Sequence, residues 1–433
     1  MVEVAPFKGI TYNKKNVKDI DSVMSPPYDI ISEEMQDKLY KKNDYNFVKL
    51  ILGKQFQDDN ANNRYTRAKK FFNEWIKKDI LVHSDKPGIY PYEIEYMQNG
   101  KKKIMNGFFI LLKLDKEYKL VKAHERTLSK PKEDRLNLMR ELNGNLEPIQ
   151  LLYIDEKDDI NIKIKEKINS PYIDVTGYDG FNHKIWKIDD EKTINFIKEK
   201  LDDEILFIAD GHHRYQTAIN YADEMEEKTG DKNEYAPFRY RMVILVNMFD
   251  KGLSILPTHR LLKKKDLDIN DIIKKSEKYF DIKKIEIEPK NNNHKIISGS
   301  IKNEIKTENE NKFALYCKKF YYVFTLKNQK IMDELASDKS ETWKGLDVSV
   351  LHKILLENIM GINQDNLEDH VKYTRDDDEA ISFVDSGKFD FSILMNATKI
   401  EELKSVADAG EHMPQKSTYF LPKMLSGLVM YKM

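Results

Sequence analysis

A single cysteine, Cys317, stands in 433 residues. One thiol cannot close an intramolecular disulfide, which excludes a cross-linked secreted scaffold and any cysteine-based zinc cluster. No protein-only zinc site is expected. Long apolar runs are missing too: none approaches the roughly 20 residues a membrane helix needs, so no membrane partner is expected. The first residues, Met1 to Lys8, hold no basic stretch followed by an apolar one. No secretory signal is read there, and a reducing cytoplasm is the expected compartment. Neither sign of charge dominates: 72 Lys and Arg face 73 Asp and Glu, a net charge of -1. Nucleic-acid binders carry a basic surplus. A bulk polyanion partner is therefore not expected, while a local pocket for a small anion stays open.

Hydrophobic residues make up 40% of the chain, enough for real cores, and the length suggests two or three domains. Four regions are read: an N-terminal α/β region, 1–150; a core strand–helix region, 151–261; a lysine- and glutamate-rich peripheral segment with a hairpin at 313–325, spanning 262–330; and a C-terminal α/β region, 331–433, closing the site. Tyr65, Ala68, Phe72, Trp75 and Ile76 share one helix face. Tyr90, Tyr92, Ile94 and Tyr96 alternate as a strand face, and Asn99-Gly100 then predicts a hairpin turn, with the following lysines able to lengthen the loop. Pro131 opens a helix that Asn143-Gly144 ends. Strands are read at 148–154, 205–209, 242–248 and 391–396, and a helix at 400–408. Asp347 is read as the cap of a helix reaching about residue 360. The fold class is α+β, or mixed α/β.

The most informative stretch is Asp210-Gly211-His212-His213-Arg214. A buried apolar strand ends at a glycine, and a helix begins with two histidines and an arginine. A helix start offers backbone N–H groups and a partial positive charge. Arginine adds a planar fork suited to phosphate, so the stretch reads as an anion site. On that reading Arg214 points into a solvent-filled cleft, and Arg214→Lys harms binding while hardly touching stability. The ordinary alternative is a capped helix with a structural ion pair. A metal site on Asp210, His212 and His213 is the rival, but neighbouring helix positions point about 100° apart, which suits metal ligation poorly.

A second stretch crowds His124, Glu125, Arg126, Asp134 and Arg135 before a helix, where Glu125 beside His124 could act as a general base. A third, 409–423, carries Lys416, Ser417 and Thr418 without a Walker A pattern. Thr258-His259-Arg260 and Asp29, on the stiff Pro26-Pro27 turn, complete the set. Each alone is as well explained by a solvated loop, a packed tail or a turn.

Taken in order, SPPYDIIS, HERTLSKPKEDRL, ADGHHRYQTA, LPTHR and GEHMPQKSTYFLPK resemble the domain of unknown function 1015 (DUF1015) family, over nearly the whole chain from Phe7 to about Leu428. More distantly, DGHHRYQTA is similar to the phosphate-binding box of ParB-like proteins, whose ParB/sulfiredoxin-like fold includes kinases of free serine. That second likeness covers about ten residues. The resemblances imply a ParB-like core with added N- and C-terminal elements. They imply a nucleotide-dependent kinase of free serine or a similar hydroxyl compound, using ATP or ADP with Mg²⁺. Gly211, His212, His213, Arg214, Arg126, Lys416, Ser417 and Thr418 would hold phosphates. Glu125 or Asp29 would be the base, and His213 a further catalytic group. His124, His259 and Arg260 would face substrate, and Asp210 would reach Mg²⁺ through the phosphates. A phosphoserine-type phosphatase and a non-catalytic nucleotide or amino-acid sensor stay open as alternatives. Asp29, His124, Glu125, His213, His259 and Lys416 are expected to share one cleft.

Overall fold

The structure is a computed structural model and describes residues 1–57, 60–124, 129–264, 266–288, 293–307 and 309–433. It divides into two compact units, residues 1–254 with 422–433, and residues 255–421. Helices and strands mix in both, as an α+β chain requires.

In the first unit the strands of the main sheet are β1 (Val4–Ala5), β2 (Tyr90–Gln98), β3 (Lys101–Lys113), β4 (Val121–Lys122), β5 (Ile149–Tyr153), β6 (Ile173–Thr176), β7 (Asn182–Ile185), β8 (Leu206–Asp210) and β9 (Tyr240–Asn247). They form one mixed sheet in the order β4-β8-β5-β9-β3-β2-β7-β6, with β1 also pairing β3. The β2–β3 hairpin follows from its sequence. Tyr90, Tyr92, Ile94 and Tyr96 are all buried on one face. Asn99 and Gly100 both take positive φ, 51° and 73°, the backbone of a type I′ turn. The turn has only these two residues, so the lysines extend the strand and not the loop. Central β5 and β9 are buried along their whole length. Their side chains join Ile194, Ile197 and Leu201 of the helix Glu191–Leu201 in the main core. Three further helices matter below: α1 (Arg64–Lys77), α2 (Ser129–Leu142) and α3 (His212–Thr229). Leu136 and Met139 of α2 pack against Ala218, Tyr221 and Ala222 of α3, which fixes where α3 begins.

The second unit is built on β10 (His259–Leu262), β11 (Phe280–Glu286), β12 (Lys312–Cys317), β13 (Phe320–Leu326), β14 (Val371–Thr374) and β15 (Phe391–Met395). All neighbours are antiparallel, in the order β11-β13-β12-β15-β10-β14. The stretch 262–330 supplies half of this sheet. Its lysines and glutamates lie on outward faces, while Ile297, Ile301, Ile305 and Ala314 are buried together. It is thus a structural part of the unit rather than an appendage. Asp347 does not cap its helix. Leu346 holds that position, and the helix continues from Leu351 to Ile359 as a π-helix. No helix among the described residues is long and apolar enough to cross a membrane.

Candidate functional site

The apolar strand β8 delivers Asp210 to the sheet edge, and Gly211 then takes a φ of 94°. That left-handed turn lets α3 start at once, without a side-chain cap, and glycine accepts it without strain. The first backbone bond of α3 runs from Tyr215 N to the Gly211 carbonyl, 2.9 Å. His212 and His213 therefore occupy the helix's first turn, where N–H groups point along the axis.

Arg214 departs from the sequence expectation. It is only 6% exposed, and its guanidinium donates back to the Asp210 carboxylate and to the Pro148 carbonyl. The fork is held by the protein itself and is not offered to a solvent-filled cleft. The reason is one of spacing: residue 214 lies four positions after 210, so the side chain folds over the turn toward the strand end. Asp210 is likewise engaged, its other oxygen accepting from Lys423 Nζ at 2.8 Å. Burial pushes its carboxyl up, but Lys423 and Arg214 outweigh burial and hold it far below the ordinary value. With a cation on each oxygen, Asp210 does not fit the role of a Mg²⁺ ligand. Among the described residues no group of three or more His, Cys, Asp and Glu is arranged to hold a metal.

Other candidates gather around this turn. His124 is fully buried, its ring edge-on to that of His212 with centroids 4.5 Å apart. Glu125 and Arg126 lie outside the described residues. Asp29 is exposed on the short helical turn Tyr28–Ile30 and acts electrostatically on Arg214. Tyr28 N donates to Glu147 Oε1 at 3.2 Å, and the Arg135 guanidinium stacks 4.0 Å from the Tyr28 ring.

Beside Arg214 the structure adds residues that the sequence reading missed. Arg241, 4% exposed, donates to the Glu147 carbonyl at 2.8 Å, but its Nε and Nη1 are buried without a hydrogen-bond partner. Burial and the neighbouring Arg214 push its guanidinium down to about 9. Arginine holds its proton more firmly than any other side chain, so an anion relieves this cost more readily than proton loss does. Arg135, Arg214 and Arg241 line a small cavity of about 30 Å³ with Glu147 and Thr217. That is room for a water or two, so the cavity itself is not a seat for a phosphoryl group. Gln150, opposite Asp210 in the β5–β8 register, is fully buried with both amide atoms unpartnered.

His259, Arg260, Lys416, Ser417 and Thr418 belong to the second unit. His259 is buried and engaged on both nitrogens: Met395 N donates to Nδ1 at 3.1 Å, and Nε2 lies 2.9 Å from Asp377 Oδ1. Those bonds tie β10 to its neighbours and give His259 a structural task in place of the substrate contact expected. Arg260, 1% exposed, donates to the carbonyls of Thr258 and Lys416, the latter at 3.3 Å. Lys416 sits at a positive φ of 56°. Ser417 donates to the Pro414 carbonyl, and its own carbonyl accepts from Thr398 Oγ1 at 2.9 Å. Thr258, Arg260 and Ser417 all line one cavity of that unit.

The family model described as protein of unknown function, DUF1015, matches residues 4–349. The chain belongs to the DUF1015 family. Among solved structures, a free serine kinase in complex with AMP is similar at 14% identity, over 73% of this chain and 87% of that one, with a TM-score of 0.35. A conserved hypothetical protein from Pyrococcus furiosus is similar at 15% identity, over 75% and 94%, with a TM-score of 0.35. SbnI with a C-terminal truncation, from Staphylococcus aureus, is similar at 10% identity, over 72% and 84%, with a TM-score of 0.31. No curated protein matches the chain. The DUF1015 match takes in SPPYDIIS, the DGHHR turn and LPTHR, and stops short of the 409–423 loop.

A signal for the missed residues was present. Arg241 is the one charged residue of an eight-residue strand, YRMVILVN, that is buried throughout. A charge in such a strand needs a partner or a purpose. Glu147 is buried just before Pro148 and had no pattern of its own to mark it.

Proposed function

We propose that the chain is a phosphotransferase acting on a small hydroxyl compound, drawing its phosphoryl group from ATP or ADP. The observation that carries the reading is the start of α3. A left-handed glycine opens an 18-residue helix without a side-chain cap, beside a charged cluster in which, among the described residues, cations outnumber carboxylates. Arg64, Arg135, Arg214, Arg241 and Lys423 stand there against Asp29, Asp134, Glu147 and Asp210. Phosphoryl transfer asks for positioning and charge neutralisation above all, and a helix start with a positive surplus supplies both.

On this reading the nucleotide phosphates rest on the amides of Gly211, His212 and His213. Arg214 sets the field and shape of the turn without touching phosphate, which is a positioning role. Asp29, exposed and near Arg214, accepts the proton of the attacking hydroxyl, with Glu125 the other candidate. Free serine is the acceptor that the resemblance favours. Any Mg²⁺ would travel on the phosphates. Asp210 is occupied, and no step is assigned to a metal.

The test is transfer of label from ATP or ADP, radioactive in the terminal phosphate, to serine and a panel of small alcohols. Label appearing in phosphoserine, and lost in Asp29→Asn while nucleotide binding persists, supports the reading. Phosphate release from phosphoserine without nucleotide would replace it with a phosphatase. Nucleotide or amino-acid binding without turnover on any hydroxyl would replace it with a sensor.

A further inference from the structure

The cavity of about 30 Å³ in the first unit is lined by three arginines, Arg135, Arg214 and Arg241, together with Glu147 and Thr217. Arg214 is engaged, its two terminal nitrogens donating to Pro148 and Asp210. The Thr217 hydroxyl donates to the His213 carbonyl at 2.7 Å. Arg241 and Arg135 differ. Arg241 Nη2 donates to the Glu147 carbonyl at 2.8 Å, while its Nε and Nη1 are buried without a hydrogen-bond partner. Arg135 donates through Nε and Nη2 to Asp134 Oδ2. Its Nη1 is buried without a hydrogen bond, 3.6 Å from Glu147 Oε2. Two arginines, 4% and 6% exposed, thus keep three donor nitrogens that no protein acceptor meets. Buried donors of this kind are ordinarily satisfied by a ligand or ordered water.

The carboxylates nearby are already shared. Asp134 pairs with Arg64 and Arg135, and Asp210 with Arg214 and Lys423. Glu147 faces Arg135, and its Oε1 accepts from Tyr28 N and from Ser426 Oγ at 3.0 Å. It also attracts Arg241, but less strongly than Arg214 repels it. Counting Asp29, which acts on Arg214, the described cluster holds one more cation than carboxylates.

Size and charge narrow the ligand. A water accepts hydrogen bonds but leaves the surplus charge in place. Phosphate, sulfate and carboxylates spread their charge over several heavy atoms and outgrow a space for a water or two. Glu147 repels an anion in proportion to its charge, which favours one negative charge over two. A monatomic anion accepts from several donors at once and donates to none. We infer that this cavity binds a halide ion, chloride in ordinary salt, held by Nε and Nη1 of Arg241 and Nη1 of Arg135. The inference rests on the cavity's own groups and does not depend on the phosphotransferase reading.

Urea unfolding of the full chain in sodium chloride, sodium bromide and sodium gluconate, at matched ionic strength, tests it. A ligand that binds only the folded state raises the ratio of folded to unfolded protein. At roughly ten times the halide's dissociation constant, that ratio should stand about tenfold higher in chloride or bromide than in gluconate. Arg241→Met, measured against its own gluconate baseline, should show less than about a twofold difference. Bromide soaked into a crystal of the parent should give an anomalous peak in the cavity, at hydrogen-bond distance from Arg241 and Arg135. That measurement decides the matter even if Arg241→Met fails to fold. Equal stability in halide and gluconate up to about 0.5 M, where exposed charges are already screened, would overturn the inference. So would a halide response undiminished in Arg241→Met, or a cavity that holds only water in the bromide-soaked crystal.

Discussion

Arg214→Lys should destabilise the first unit by about 1.5–3 kcal/mol. The guanidinium makes two bonds in different directions, one to the Asp210 carboxylate and one to the Pro148 carbonyl. A single ammonium on a longer, flexible stem can replace one of them and not both. A hydrogen bond involving a charged group contributes about 1.5–3 kcal/mol. Because Arg214 is only 6% exposed, water cannot take over the lost partner, and solvent screening discounts little of this. Lys423 stays on Asp210, which keeps the loss nearer the lower figure if the new lysine chooses Pro148. Urea unfolding followed through Trp75 and Trp186, both in this unit, measures the change as a shifted midpoint at constant slope. A stability within about 0.5 kcal/mol of the parent, the usual range of surface substitutions, would refute the reasoning. It would return Arg214 to the role read from sequence, a fork offered to a ligand and otherwise idle.

Three further outcomes follow from the same region. Gly211→Ala should cost about 1–2 kcal/mol for a left-handed backbone, with its Cβ only 3.0 Å from Arg214 Nε, and should weaken ADP binding; a melting curve and a titration on one preparation check both. Arg241→Met should be neutral to slightly stabilising, since it removes a buried charge with two unpartnered donors, yet should weaken binding of ADP; a clear destabilisation in urea would contradict this. Asp210 and Asp134 are pushed up by burial but held below their ordinary 3.8 by the cations around them. The stability they give is whole above about pH 4 and is lost as pH falls toward their lower folded values. Asp210→Asn should lower stability at pH 7 and flatten the acid limb of a stability–pH profile measured by urea unfolding.

Local order was legible and long-range pairing was not. The Tyr90–Lys113 hairpin could be read because alternation and Asn99-Gly100 act over a few residues. The strand–turn–helix at 206–229 was legible for the same reason: a continuous apolar run meets a glycine and then helical spacing. Arg214's direction was not legible. It depends on the Pro148 carbonyl, 66 positions away in sequence, and on Lys423 holding the far side of Asp210, 213 positions away. Polarity does not say which unit a motif enters. Asp29, His124 and the 210–214 turn lie in the first unit, while His259, Arg260 and 416–418 lie in the second. His259 shows how a histidine in a motif becomes structural once Asp377 and a backbone N–H satisfy both of its nitrogens. The π-helix at Leu351–Ile359 escaped notice because its apolar spacing passes for that of an α-helix over so short a run.

The central claim is that the start of α3 holds nucleotide phosphate. A crystal of the full chain grown with ADP tests it most directly. The account predicts phosphate oxygens within about 2.7–3.2 Å of the backbone nitrogens of His212 and His213, with Arg214 still bonded to Asp210 and Pro148. Phosphates bound away from residues 211–213, in a protein that binds ADP in solution, would contradict it.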